Sequence, residues 1–177
     1  PPLTFATSIM CQRIGISTDG FYGGMREDVN LYTAPNESRL NLQAVNGGKI
    51  EDDCRSGSDL DPNLPLIIAF DANNLINWLV VGQVGRDGKL RILKSFFVKY
   101  ERKLPELIED FHHYYRYHKR RQVVFYYDST FVGNNYALHN NDFHKDIEQT
   151  LRRLQWSVRP KYIGNPLDHL VKNDLIN

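Results

Sequence analysis

Two aspartates stand at the ends of two apolar runs, and their types and spacing suit metal chemistry. The run at residues 64–70 leads into Asp71, and the run at residues 122–127 leads into Asp128. Short apolar runs rich in β-branched and aromatic residues are typical of buried strands, so each carboxylate is expected where a strand meets solvent. Neighbouring strands lie about 4.8 Å apart, close enough for two carboxylates to share divalent cations. An aspartate after a strand can also be only a turn or N-cap residue, and this alternative stays open for each one.

Phosphodiester hydrolysis is the reaction that such a carboxylate pair would support. The reaction requires an activated water and stabilisation of charge on the phosphate and on the leaving oxygen, and two metal ions about 3.5–4 Å apart supply all three. Mg²⁺ suits this role because it binds a few carboxylates together with waters and substrate phosphate. The sequence therefore predicts a two-metal site for Mg²⁺ or Mn²⁺.

A third acidic ligand is expected near the end of the sequence. Asp168 and Asp174 are the candidates, and the neighbouring His169 could orient a water, move a proton or bind metal. Asp168 also fits the N-cap of a helix at residues 166–176. Asp174 follows six residues later, roughly 240° around such a helix, so the two aspartates do not easily serve one site.

A second group of residues mixes cations with aromatic side chains and could bind a phosphate backbone. Much of it lies at the end of a helix expected at residues 106–120, where alignment with the helix dipole is the alternative explanation. The predicted DNA-binding residues are Arg116, Lys119, Arg120, Arg121, Arg152, Arg153 and Lys161. Ser129 and Thr130, directly after the second strand-ending aspartate, could steer a water or form an ordinary turn. His139 and His144 lack a companion Cys or third helical ligand, so turn and cap roles are expected there.

Composition favours a water-soluble chain with one substantial core. The 177 residues are 41% hydrophobic and 12% aromatic, and no run of about 18 apolar residues or secretion signal is present. We therefore expect no membrane partner. Cys11 and Cys54 stand far apart, which favours free thiols in a reducing compartment. The motifs Gly-x-Ser-x-Gly and Gly-x-x-x-x-Gly-Lys-Ser/Thr are absent, which argues against a serine hydrolase and an ATPase.

Charge and turn residues divide the sequence near residue 64. Residues 1–64 carry 5 Lys/Arg against 9 Asp/Glu, whereas residues 65–177 carry 17 against 12 and are the better anion binder. The first part is predicted to be an irregular, partly β arm with short strands at residues 3–9, 29–32 and 40–45. The acidic stretch at residues 51–62 is interpreted as a linker that ends this arm. The first residue is Pro1 rather than Met, so we expect a piece of a longer or processed protein.

Residues 65–177 show the element order β-β-β-α-β-α-β-α. Strands are expected at residues 66–70, 78–84, 90–98, 122–127 and 156–163, and helices at residues 106–120, 144–154 and 166–176. The Asp87-Gly88 turn joins the second and third strands as a hairpin. Right-handed crossovers then place the fourth strand parallel to the first and beside it. This connectivity predicts a ribonuclease H-like mixed five-stranded sheet, with Asp71 and Asp128 side by side at strand carboxyl ends.

Residues from about 59 to 177 resemble the C-terminal nuclease domain of the large terminase subunit of tailed bacteriophages. The resemblance lies in the sequences at residues 65–71, 78–83 and 126–128, in the Asp168-His169 pair, and in the 57-residue separation of the first two acids. It implies a two-metal endonuclease that cuts double-stranded viral DNA during genome packaging in the host cytoplasm. It also implies an ATPase motor domain in the same polypeptide, with residues 1–64 as its connection, and possible contacts with portal and small terminase proteins.

One position departs from the terminase pattern. Many terminases carry Asp-His-x-x-Asp near the end, but Lys172 stands three residues after His169, so either Asp168 or Asp174 could be the third ligand. Two rival functions stay open. One is a junction resolvase or transposase-type nuclease of the same fold. The other is a non-catalytic module that binds DNA or a portal protein.

Overall fold

The computed structural model describes residues 27–31, 33–46, 51–72, 75–132 and 142–165. The chain forms two compact units, of which Ala34–Pro166 contains the sheet. The other unit comprises Pro1–Thr33 and Leu167–Asn177, and its described part includes the one-turn helix Glu27–Asn30 (α1). No helix among the described residues is long and apolar enough to cross a membrane.

A five-stranded mixed sheet organises the larger unit. Its strands are Leu66–Ala72 (β1), Ile76–Val84 (β2), Leu90–Lys99 (β3), Gln122–Tyr127 (β4) and Ser157–Tyr162 (β5). They are arranged in the order β3-β2-β1-β4-β5. The first three strands pair antiparallel, whereas β4 runs parallel to both β1 and β5. This is the ribonuclease H-like arrangement, so the predicted fold class and the predicted pairing of the first and fourth strands are confirmed.

The described part of this unit includes the α-helices Glu37–Asn46 (α2), Leu104–Tyr114 (α3) and Phe143–Arg153 (α4). Helices α3 and α4 bury one face of the sheet. Their apolar positions recur at helical spacing, and Leu107, Phe111, Ile147 and Leu151 are fully buried. Each such side chain contributes about 1.5–3 kcal/mol to folding through burial.

Helix α3 begins where predicted but ends earlier. Its start is fixed by Pro105 in the first turn and by the Glu106 carboxylate, which accepts a hydrogen bond from the Lys103 backbone N–H at 3.0 Å. The helix ends at Tyr114, six residues before the predicted end. The next residues form a turn in which the His118 N–H donates to the Tyr115 carbonyl at 2.9 Å. This turn returns the chain to the sheet, so the cations that follow α3 are not helical.

Two strands predicted in the N-terminal arm are wrong. Residues 29–32 overlap α1, and residues 40–45 lie within α2. Asn36 explains the second error, because its side-chain oxygen accepts a hydrogen bond from the Arg39 backbone N–H at 3.3 Å and caps the start of α2. The strand predicted at residues 3–9 and the helix predicted at residues 166–176 lie outside the described residues.

The acidic stretch at residues 51–62, predicted as a linker, lies within the larger unit and is partly buried. Asp53 and Cys54 are buried, and Cys54 is a free thiol. The buried Gln83 amide of β2 accepts a hydrogen bond from the Asp61 N–H and donates one to the Asp61 carbonyl, both at 2.9 Å. The division into domains at residues 1–64 and 65–177 stays a prediction, although the compact unit observed here begins at Ala34.

Candidate active site

Asp71 lies near the end of β1 and Asp128 directly follows β4, and these two strands are adjacent and parallel. The pairing of β1 with β4 runs from Leu66 opposite Val123 to Ala69 opposite Tyr126, a constant offset of 57 residues. Asp71 and Asp128 have the same offset, two residues further along each strand. The backbone of Asp128 is extended, with φ −109° and ψ −172°, so it continues the direction of β4. Their backbones are therefore expected about 4.8 Å apart, the usual spacing of neighbouring strands.

Both aspartates occupy the face of the sheet opposite α3 and α4. Side chains alternate between the two faces of a strand, and Tyr127 lies on the helical side, where its ring stacks on His144 of α4 at 4.7 Å. Asp128, the next residue, therefore lies on the other side. Phe70 also lies on the helical side, with its ring centroid 5.6 Å from that of the buried Phe125. Asp71, the next residue, therefore lies on the other side as well. We call the side that carries Asp71 and Asp128 the aspartate face.

The Asp128 carboxylate is held in place through one oxygen. Oδ1 accepts hydrogen bonds from the Thr130 N–H at 2.9 Å and from the Thr130 hydroxyl at 2.5 Å. Asp128 is thus the N-cap of the short 3₁₀ helix Ser129–Phe131, as the alternative turn role predicted. Within the described ranges, no donor is assigned to Oδ2 or to the exposed Asp71 carboxylate. Capping therefore leaves oxygens available as ligands.

The donor chemistry fits a hard divalent cation. Carboxylate oxygens from two neighbouring strands are the ligands that Mg²⁺ and Mn²⁺ prefer. In the part of the chain that the structure describes, there is no group of three or more His, Cys, Asp or Glu that could hold a metal ion. Asp168, His169 and Asp174 lie outside the described residues, as does His139, so the third ligand stays a prediction.

Most of the predicted DNA-binding cations lie far from the aspartates. Four of them, Arg116, Lys119, Arg120 and Arg121, precede β4, whereas Asp128 follows it. Six residues of strand separate these positions, or about 20 Å. Arg116 forms an ion pair with Glu51, and the Arg121 guanidinium lies over the Trp156 ring at 5.2 Å. The structure therefore does not bring these cations to the carboxylates.

The remaining three cations divide between the two ends of the sheet. Arg152 and Arg153 end α4, and the Arg152 guanidinium pairs with Glu148 and contacts the carbonyl of Val158, near the start of β5. Lys161 lies opposite Tyr126 in the β4–β5 pairing, on the aspartate face and exposed. Lys161 is therefore the predicted DNA-binding residue that the structure brings nearest to the two carboxylates.

Two aromatic side chains that the sequence analysis did not single out also belong to this part of the sheet. Trp78 of β2 lies directly opposite Asp71, and Phe97 of β3 lies directly opposite Trp78. A signal for the first pairing was available, because only three residues separate two strands that pair antiparallel, and so short a connection limits which residues can face each other. The second depends on a β-bulge at Val81/Gly82, which the sequence does not reveal.

The strand order and directions are those of a ribonuclease H-like fold, and comparisons with known proteins give the following similarities. No protein-family model matches the sequence, and no curated protein matches it. Among solved structures, the chain is similar to RuvC of T. thermophilus in complex with a Holliday junction substrate. The two are 16% identical with a TM-score of 0.37, over 55% of this chain and 65% of that one. It is also similar to the Aquifex aeolicus member of the Ppx/GppA family, at 12% identity and a TM-score of 0.33, over 56% and 36%. The match thus spans less than two thirds of either protein.

Proposed function

We propose that this chain is a metal-dependent endonuclease domain that hydrolyses phosphodiester bonds in DNA. The observation that carries the proposal is that β1 and β4 pair in parallel with an offset of 57 residues, which is also the offset between Asp71 and Asp128. Sequence resemblance refines the substrate to double-stranded viral DNA, cut during genome packaging by the nuclease domain of a large terminase subunit.

In the proposed mechanism, Asp71 and Asp128 would hold Mg²⁺ or Mn²⁺. Two such ions would supply an activated water and stabilisation of charge on the phosphate and on the leaving oxygen. Thr130 fixes the orientation of the Asp128 carboxylate through its N–H and hydroxyl. The exposed Lys161 ammonium, on the same face, binds the DNA backbone without sequence preference. Asp168 is proposed as the third ligand with His169 beside it, and Asp174 is the alternative.

Plasmid cleavage in the presence of Mn²⁺ tests the two aspartates. Asp71→Asn and Asp128→Asn keep the side-chain shape but remove the negative charge, so each should lower the cleavage rate at least about 100-fold, beyond the effect typical of a residue that only supports a ligand. Asp110→Asn is the matched control, because Asp110 is an α3 residue paired with Arg102. Wild-type rates in both active-site variants would overturn the catalytic assignment.

Substrate choice separates the proposal from its rivals. Linear duplexes and four-way junctions should be offered side by side, and comparable cleavage of the linear duplex is expected for a packaging nuclease. A strict requirement for the junction would instead identify a resolvase. Calorimetric Mn²⁺ titration addresses the non-catalytic module, since metal binding that depends on both aspartates is expected only of the enzyme.

A role in genome packaging also implies a cellular location and protein partners, which we propose in addition. We propose that the domain works in the host cytoplasm, joined to an ATPase motor domain, and contacts the portal and small terminase proteins during virion assembly. Binding of the purified chain to the portal protein of the same virus, measured by calorimetry, tests the contact. Failure to bind the portal while plasmid cleavage persists would leave a nuclease without this packaging contact.

A further inference from the structure

A row of four side chains crosses the aspartate face at the level of the proposed metal site. Residues directly opposite each other on paired strands share a face, so Asp71, Trp78 and Phe97 form a row. The 57-residue offset between β1 and β4, continued two residues past Ala69 and Tyr126, adds Asp128 to it. The Trp78 and Phe97 rings lie with their centroids 4.8 Å apart and their planes inclined by 32°. The carboxylates thus continue directly into an aromatic pair.

The aromatic pair keeps ring surface exposed. Trp78 is 37% exposed and Phe97 is 50% exposed, whereas the second tryptophan, Trp156, is 2% exposed. Both rings are attached to paired strands, so their positions are fixed by the sheet rather than by a loop. Aromatic surface of this kind, rigid and exposed beside polar groups, is typical of binding sites.

Cations lie on the same face on the other side of the carboxylates. Arg159 and Lys161 of β5 pair with Val124 and Tyr126, which alternate onto the aspartate face, and both cations are exposed. Across the sheet, the face therefore changes from aromatic rings through carboxylates to positive charge. This order complements a nucleic acid strand, which presents bases to one side and phosphates to the other. A purely apolar protein partner would not require the cations.

We propose that Trp78 and Phe97 form a stacking site for an unpaired base of the DNA strand that is cut. The position of the scissile phosphate, at Asp71 and Asp128, rests on the proposed function. The neighbouring strand spacing of about 4.8 Å places the aromatic pair within reach of a base attached to that phosphate. Bases within an intact duplex stack on each other, so the site takes up a base only where the bound DNA is single-stranded or the duplex has opened locally. Every base has a π-face, so the site does not read sequence.

Fluorescence of Trp78 measures the proposed stacking without cleavage. The chain contains two tryptophans, and the difference between wild type and Trp78→Phe isolates the emission of Trp78. In EDTA, a 12-nucleotide thymidine oligonucleotide should quench this emission and reduce further quenching of Trp78 by acrylamide. An oligonucleotide of the same length with abasic sites keeps the phosphates but lacks the bases. It should bind about 10-fold more weakly, in line with the loss of one or more base–aromatic contacts.

Variants separate base stacking from general binding. Trp78→Ala should weaken thymidine oligonucleotide binding about 10-fold and leave binding of the abasic oligonucleotide unchanged, while Val80→Ala, a change on the same face and strand, should alter neither. If thermal unfolding shows that Trp78→Ala is not folded, Phe97→Leu and Trp78→Leu replace it, since both keep apolar volume in the sheet.

The outcomes are distinct from those that test the proposed function. Equal affinity for the thymidine and abasic oligonucleotides overturns the stacking site. So does a loss of self-association or protein binding in Trp78→Ala with oligonucleotide binding intact, because the aromatic pair would then be a protein interface. Asp71→Asn should still show Trp78 quenching. If the wild type shows Trp78 quenching but no cleavage, the nuclease proposal fails and the stacking site stands. If it shows cleavage but no quenching, the stacking site fails and the nuclease proposal stands.

Discussion

Asp128 illustrates how one carboxylate can be a helix cap and a candidate ligand at once. Its Oδ1 accepts both hydrogen bonds from Thr130, which fixes the plane of the carboxylate. A ligand whose orientation is fixed before metal binding loses less conformational entropy when the metal binds. The turn role and the ligand role, which were alternatives in the sequence, are therefore compatible in the structure.

Removing the Thr130 hydroxyl should weaken the site without removing a ligand. Thr130→Val keeps the shape and the backbone N–H but loses the 2.5 Å bond to Asp128. We expect the Mn²⁺ concentration for half-maximal plasmid cleavage to rise about 10-fold, the lower limit for residues that support metal ligands. Thr130→Ser retains the hydroxyl and should resemble the wild type. Matching Mn²⁺ dependence in the Val and Ser variants would show that the hydroxyl does not matter.

At the scale of elements, an ion network attaches α2 to the segment at residues 51–55. The Asp53 carboxylate is fully buried and accepts hydrogen bonds from the guanidinium groups of Arg39 and Arg55. Burial raises the pKa of Asp53, but these hydrogen bonds outweigh burial and hold the pKa well below its usual range. The Arg55 guanidinium also lies over the Tyr117 ring at 3.6 Å. These contacts hold residues 51–55 in place within the unit.

Neutralising Asp53 should destabilise the whole unit. Asp53→Asn leaves two guanidinium groups without their carboxylate, Arg39 being 15% exposed and Arg55 48% exposed. Because solvent partly screens Arg55, we expect a loss of about 2–3 kcal/mol in the free energy of unfolding, less than when a fully buried pair is broken. Urea unfolding at pH 7 measures it. The control Asp110→Asn, in an exposed pair, should lose less than about 0.5 kcal/mol, and equal losses in the two variants would contradict a special role for Asp53.

The elements that the sequence predicted well are those with a strong apolar period. Strands β1 and β4 read as continuous apolar runs, and the Asp87-Gly88 hairpin and the first turn of α3 each have a local signal. Asp71 and Asp128 were predicted as metal ligands because they end such runs, and that role stays a prediction. Helix α2 was missed because polar residues dominate it and a single Asn36 cap starts it. The packing of residues 51–64 depends on long-range ion pairs, which local patterns do not contain.

At the scale of the whole molecule, the described cations that were predicted to bind DNA include residues at both ends of β4. One group lies before β4, about 20 Å from Asp128, where Arg120 donates to the side-chain oxygen of Gln122. The other lies on the aspartate face, on β5, and includes Lys161. The excess positive charge of residues 65–177 predicted an anion binder but could not assign the charge to one place, since assignment requires the strand order.

Salt dependence of DNA binding distinguishes the two sites. If Lys161 contacts a phosphate at the aspartate face, Lys161→Ala should reduce the magnitude of the slope of log K against log salt for duplex DNA by about 0.9. Arg120→Ala removes the same charge from the other end of β4 and should leave the slope unchanged. Fluorescence anisotropy between 50 and 200 mM salt, in the absence of divalent metal, measures both. If Arg120→Ala reduces the slope and Lys161→Ala does not, DNA binds at the end of the sheet that lies before β4.

Two histidines couple the stability of the core to pH. The Trp156 indole N–H donates to Nδ1 of His112 at 3.2 Å, so this imidazole is neutral. His118 stacks on the Trp156 ring, and its Nε2 lies 2.9 Å from the Leu64 carbonyl, which requires Nε2 to carry the proton. Burial, and then the nearby Arg121 charge, lowers the pKa of His112. Burial is also the main cause of the lowered pKa of His118, against the opposing effect of its bond to Leu64.

The free energy of unfolding should therefore fall as pH is lowered from about 7.5 to 5.5. Unfolded histidine takes up a proton near pH 6.5, whereas His112 and His118 in the folded state stay neutral to lower pH, so acid favours the unfolded chain. Each contributes at most about 1.4 kcal/mol per pH unit, and the pKa of Asp53 is too low for it to contribute in this range. Urea unfolding across this range measures the slope of the free energy of unfolding against pH. His118→Gln keeps an amide donor for the Leu64 carbonyl and should reduce this slope by about half. A slope unchanged by this variant would mean that His118 is protonated equally in both states.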